Sequence, residues 1–184
     1  MRGVFWNIRG TNKKGRNTRI MDICKEHNLD FIGIQETKSE SFSATYLSSL
    51  AGNKHFCWKW LPARGTAGGI LMGVDADNFD IVDWSVNTFS VSCKVMNKKD
   101  GFGSMITTVY GPVYDDKKED FLLELRSICD NCEGPHIIGG DFNLVRSALD
   151  KSNGVVDQNW CDKFNLWIDE CNLVELHLMG RKFT

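Results

Sequence analysis

Two carboxylates, two carboxamides and a phenol stand at the polar ends of four apolar runs in this chain. Val4-Phe5-Trp6 leads to Asn7, and Phe31-Ile32-Gly33-Ile34 leads to Gln35-Glu36. Ile106 to Val109 leads to Tyr110-Gly111-Pro112, and His136-Ile137-Ile138-Gly139-Gly140 leads to Asp141-Phe142-Asn143. Hard oxygen and amide groups of this kind suit Mg²⁺, which takes one or two carboxylates and completes its shell with water and substrate phosphate. They do not suit zinc, which selects His and Cys. Each group alone has a plainer reading: a strand-end acid as a cap, a Tyr before Gly-Pro as packing, an Asn as a turn. Their recurrence at four strand ends carries the argument. If the last run stays extended past Gly140, period-two alternation points Asp141 and Asn143 to one face and Phe142 into packing. Glycines there let the backbone bend and let another group come close.

Strands must deliver these groups. Val4–Asn7 reads as a short strand, Phe31–Ile34 as one buried on both faces, and Ile137–Ile138 as a third. His55–Trp60, Gly69–Val74, Phe79–Trp84, Thr88–Met96 and Ser104–Tyr110 complete the β content, with Asn97–Gly101 as a hairpin turn and Pro112 stopping the last of them. Helical spacing marks Thr18–Asn28, with Asn17 as cap, then Ser39–Gly52, a stretch from Asp115 to Cys132, and Asp157–Cys171. Leu144–Val156 reads as a loop and Leu173–Leu176 as a short strand. Helices and strands interleave, yet several strands are joined as hairpins. The expected class is α/β (α+β): two mixed sheets flanked by helices.

Composition bounds the function. The 184 residues are 42% hydrophobic and 25% charged, a globular balance with room for a core. The formal net charge of −2 gives no bulk attraction to nucleic acid, so contact with a polyanion needs a local patch or a metal. No apolar run approaches the roughly 18–20 residues of a membrane span, and the first ten residues read as a strand, not a secretory signal. Seven cysteines, an odd number, suggest reduced thiols inside a cell, in nucleus or cytoplasm. Cys129 and Cys132 form a lone CxxC at a helix end, without a second ligand pair for zinc; they read as ordinary thiols. His27 reads as a helix-end residue. Trp58-Lys59-Trp60 with Arg64 interleaves aromatic and cationic side chains, which can stack on bases or simply form a strand with one core Trp. Lys13, Lys14 and Arg16 read as a solvated loop.

Trp6-Asn7-Ile8-Arg9-Gly10, Gln35-Glu36-Thr37-Lys38, Gly68-Gly69-Ile70, Tyr110-Gly111-Pro112 and Gly140-Asp141-Phe142-Asn143, in this order, resemble the motifs of the endonuclease/exonuclease/phosphatase family of deoxyribonuclease I-like nucleases. Asn7-Ile8-Arg9-Gly10, the Asn143-Leu144-Val145-Arg146 run and the closing Gly180-Arg181-Lys182-Phe183-Thr184 are similar to the endonuclease domain of plant LINE-type, non-LTR retrotransposons. The resemblance implies a four-layer sandwich in a single domain over residues 1–184. It implies Mg²⁺, or Mn²⁺, held by Glu36 with Asn7 and Asp141. Asp141 would orient or deprotonate the attacking water, and Asn143 would bind the nucleophile or a phosphate oxygen. Tyr110 would sit against the scissile phosphate. Lys38, Arg9, Trp60 and Arg64 would meet a double-stranded DNA substrate. No membrane contact and no obligate protein partner is implied.

The chain also departs from that pattern. Arg9 stands where many abasic-site endonucleases carry an acid, and Val113 where Asn is common. No Ser-Asp-His occurs in the 184 residues; none of His27, His55, His136 or His177 has that context. The expectation is a domain incomplete at its C-terminus by roughly 40–50 residues, its last strands among them, with little or no nuclease activity of its own. The alternatives are a non-catalytic transposon relic or binding module, and a phosphatase or phosphodiesterase of the same fold acting on something other than DNA.

Overall fold

The computed structural model describes residues 1–11, 15–52, 54–64 and 68–176. It divides into two compact units. One comprises Met1–Tyr110 and Cys132–Asp141; the other comprises Gly111–Asn131 and the chain from Phe142 onward.

The first unit is a sandwich of two four-stranded mixed sheets. Strands β1 (Gly3–Asn7), β2 (Phe31–Gln35), β3 (Phe56–Leu61) and β4 (Ile70–Asp75) form the first, in the order β1-β2-β4-β3. Strands β5 (Phe79–Val86), β6 (Ser90–Asn97), β7 (Gly103–Tyr110) and β8 (His136–Asp141) form the second, in sequence order. β1 runs parallel to β2 and β7 parallel to β8; the other pairs are antiparallel. The expected fold class is the one observed.

Alternation sets both faces of the first sheet. Ile32, Ile34, Phe56 and Leu71 turn outward and form a core with Ile20, Cys24, Leu50 and Ala51 of helices α1 (Arg16–Glu26) and α2 (Ala44–Ala51). Phe31, Ile70, Met72 and Val74 turn inward onto Val91, Cys93, Val95 and Ile106 of the second sheet. The two sheets meet closely around the Phe5 ring. A Cβ at Gly33 would fall 2.8 Å from that ring and 2.3 Å from Thr108 Oγ1, and one at Gly139 only 2.3 Å from the ring. Three inward positions therefore alternate large and small, which brings the strand ends beyond them together.

Several local readings change. Helix α1 starts earlier than its sequence suggests, with Gly15 at the N-cap in a left-handed conformation (φ 84°). Asn17 lies inside the helix, where its side chain accepts a hydrogen bond from the Tyr46 hydroxyl at 2.9 Å. Lys13 and Lys14 lie outside the described residues, and Arg16 donates to the Gly10 carbonyl at 2.7 Å. Helix α2 begins only at Ala44, because the Ser43 hydroxyl caps it by accepting from Tyr46 N–H. His27 is a helix-end residue, as expected.

The second unit pairs helix α3 (Lys118–Asp130), entered through a short 3₁₀ turn at Asp115–Lys117, with helix α4 (Gln158–Glu170). Phe142 packs among Phe121, Phe164 and Trp167, the inward turn expected of it. Arg146 ties the following loop to Asn165 and Glu175, each at 2.8 Å. Asp157 caps α4. Leu173–Leu176 is not a strand: Val174 and Leu176 are exposed, and among the described residues no strand pairs with the segment. No helix among the described residues is long and apolar enough to cross a membrane.

Candidate active site

Asn7, Glu36, Tyr110 and Asp141 come together at one end of the sandwich. Asn7 ends β1 with the same inward parity as Phe5. Tyr110 and Asp141 end the parallel strands β7 and β8 and are direct register partners. The Asn7 side-chain amide donates to Glu36 Oε1 at 2.7 Å and to Asp141 Oδ2 at 2.6 Å. Its carbonyl oxygen accepts from Arg9 N–H at 3.1 Å, which fixes which way the amide faces. One carboxamide thus holds two carboxylates within its own span.

Glu36 follows β2 directly, yet its backbone is left-handed (φ 53°), so its side chain leaves the alternation of the strand. Hydrogen bonds pin it from both sides. Its carbonyl accepts from Gly10 N–H at 2.6 Å, and the next two amides donate to Gly69 (3.3 Å) and Gly68 (2.7 Å). Arg9 and Lys38 also take left-handed backbones (φ 50° and 54°). Non-glycine residues seldom adopt that conformation, and it clusters where function over-determines the chain. Both side chains are exposed cations on loops tied together through Gly10 and Thr11.

The Tyr110 hydroxyl hydrogen-bonds Glu36. Its pKa is pushed up to about 12, first by burial, then by the charges of Glu36 and Asp141, and last by that hydrogen bond. At neutral pH the phenol is a protonated donor.

Asn143 departs from the period-two expectation. β8 ends at Asp141, and Asn143 has a left-handed backbone (φ 50°) with its amide donating to the Gly111 carbonyl at 2.8 Å. That fixes the side chain within the second unit. Trp60 lies on β3, edge-on to Phe42 at 5.7 Å in the helix-side core, so its core reading fits the geometry. Arg64 is exposed at the end of the described loop. His136 begins β8, at the opposite end of that strand from Asp141. His177 lies outside the described residues.

The donor set passes the chemical test for a hard divalent cation: two carboxylates and an amide, all oxygen-based or neutral, and no thiol or imidazole among them. Glu36 and Asp141 would hold it, with Asn7 beside them.

A family model described as the endonuclease/exonuclease/phosphatase family matches residues 4–179. The chain belongs to that family. Solved structures agree on the fold. The AP endonuclease LMAP of Leishmania major superposes with a TM-score of 0.69 at 13% identity, over 92% of this chain and 66% of that one. The human nocturnin catalytic domain gives 0.58 at 18% identity, over 79% and 64%. The Bacteroides thetaiotaomicron mannosyl-6-phosphatase Bt3783 gives 0.55 at 16%, over 77% and 65%. The chain therefore spans just under two thirds of the length of these relatives. No curated protein matches it.

Asn7, Glu36, Tyr110 and Asp141, read in the sequence as strand-end groups, are brought together by the fold. The Gly68-Gly69-Ile70 motif was also read in the sequence, but without a task for Gly68. A Cβ there would fall 2.8 Å from Glu36 Cα and 3.1 Å from Tyr110 Cε1. The Gly68-Gly69 pair before a strand was the available signal.

Proposed function

We propose that this chain is the endonuclease domain of a retrotransposon-type protein, a metal-dependent phosphodiester hydrolase acting on double-stranded DNA. The bridging of Glu36 and Asp141 by the Asn7 amide, beside a protonated Tyr110, is the observation that carries the reading. When bound, Mg²⁺ or Mn²⁺ supplies Lewis acidity to a phosphoryl oxygen. Glu36 and Asp141 would hold the ion, with Asn7 beside them. Asp141 orients a water and takes its proton, and Tyr110 donates to a non-bridging phosphate oxygen. The resemblance assigns Asn143 a hydrogen bond to the nucleophile or to a phosphate oxygen. Arg9 and Lys38 place positive charge at the rim, where a phosphate backbone adds counterion release to binding.

The fold also accommodates phosphatases, as the Bacteroides relative's name shows, and a panel of phosphomonoesters against plasmid DNA separates the two substrates. Residues 1–184 carry no Ser-Asp-His motif, so alone they are expected to nick DNA orders of magnitude more slowly than a complete cooperating site. The direct test is therefore binding. Mg²⁺ should raise the melting temperature of the wild-type chain, and Glu36→Gln should weaken that effect about tenfold or more in ion concentration. An unchanged Mg²⁺ dependence in Glu36→Gln refutes the metal site. Robust nicking by the 184-residue chain, abolished by Asp141→Ala, refutes the expectation of low activity.

A further inference from the structure

Glu36 cannot retreat from what is packed against it. Its carbonyl is held by Gly10 N–H at 2.6 Å, and the Lys38 and Thr37 amides hold the 68–69 backbone on its other side. The Thr37 hydroxyl, fully buried, adds a hydrogen bond to the Gly68 carbonyl at 3.3 Å. Gly68 lies in the narrow space left. A methyl group there would stand 2.8 Å from Glu36 Cα, 2.9 Å from Glu36 Cγ and 3.1 Å from Tyr110 Cε1. Two of these are rigid neighbours, a backbone atom and a ring edge. Gly68 has no left-handed backbone of its own, so space, and not conformation, is what restricts the position.

We infer that Gly68 is a positioning residue: its missing side chain sets the depth of Glu36 against Asn7 and Tyr110. Gly69 beside it has a different task, since its φ of 71° requires glycine for the turn into β4. Gly68 acts on Glu36 and Tyr110 directly; Asp141 is one contact further on, reached through Asn7 or through Tyr110, its register partner.

The Asn7 amide offers an internal control, because one of its protons goes to Glu36 and the other to Asp141. In Gly68→Ala, NMR should show the Glu36-bonded proton moving upfield by more than the Asp141-bonded proton moves. Glu36→Gln and Asp141→Asn assign the two signals. The affinity for Mn²⁺, read from free ion by electron paramagnetic resonance, should fall about tenfold or more. The variant should still fold, with the far-UV circular dichroism of wild type and of Gly103→Ala, a site with no neighbour within 4 Å and no left-handed backbone. If both Asn7 protons hold still, or both move equally, Gly68 does not position Glu36. Should Gly68→Ala fail to fold, Thr37→Val removes only the hydroxyl bond to Gly68. The same unequal shift in that variant supports the inference, and its absence overturns it. The metal arm rests on the proposed function and the proton arm does not, so a wild-type chain that binds no Mn²⁺ counts against the metal site while the protons still decide on Gly68.

Discussion

Asn7 gives both amide hydrogens to carboxylates and takes a backbone N–H on its oxygen. That use of a carboxamide separates two negative charges that would otherwise face each other. Asn7→Asp would put a third carboxylate in the middle and remove both donors. Hydrogen bonds to charged groups contribute about 1.5–3 kcal/mol each, so this variant should melt well below wild type in EDTA. Millimolar Mg²⁺ should restore most of the loss, because a divalent ion replaces the missing donors. Thermal scans with and without Mg²⁺ check both halves; a loss that Mg²⁺ does not repair points to misfolding and not to charge. The types of these residues were legible in the sequence because each ends an apolar run. The direction of Asn143 was not. A strand's period is visible in side-chain pattern; Asn takes the left-handed backbone more readily than most residues, but it also serves in many extended positions, so its type alone did not mark the break. Gly68 was legible as part of the Gly68-Gly69-Ile70 motif, but its task was not, because a residue that acts by having no side chain shows no chemistry of its own.

The strands show why alternation served so well elsewhere. β2 and β4 each send one set of residues to the helices and the other to the facing sheet, and both sets are apolar. The ends of elements were harder to see, since caps and partners decide them. Ser43 delays α2, and Leu173–Leu176 has strand-like residues but no strand beside it among the described residues. Among the described residues, two hydroxyls on the inward face of β7 lie without a partner, Ser104 Oγ and Thr108 Oγ1, the latter fully buried above Gly33. A buried hydroxyl that makes no hydrogen bond costs about 1–3 kcal/mol. Thr108→Val keeps the branched shape and removes the hydroxyl, and should raise unfolding free energy by about 1 kcal/mol in urea titrations. A decrease would mean that the hydroxyl is bonded through a buried water.

At the scale of the whole molecule, stability against acid has an identifiable contributor. Burial pushes the His136 pKa down to about 4, and Nε2 shares a hydrogen bond with Thr107 Oγ1, itself bonded to Ser92. The folded state favours the neutral ring. This contribution is whole above the unfolded value near 6.5 and is lost as pH falls from there through about 4. Wild type should therefore lose stability across that window more steeply than His136→Gln, in urea unfolding at pH 7, 5.5 and 4.5. Equal slopes would show that the ring is charged in the fold. The net charge of −2 belongs to this scale too: attraction to any polyanion has to be local, and Arg9 and Lys38 are exposed cations beside the carboxylates.

The amide bond from Asn7 to Asp141 spans 134 residues of chain. On a ribosome adding about 5–20 residues per second, β1 emerges roughly 7–27 s before the aspartate that its asparagine will hold. β2 and the helices can form in that interval, but the site cannot. The carboxylates meet only after β8 has been made and has found β7, so the site is built after the other seven strands of the two sheets, and a pause in translation before residue 136 leaves a sheet with its chemistry unbuilt.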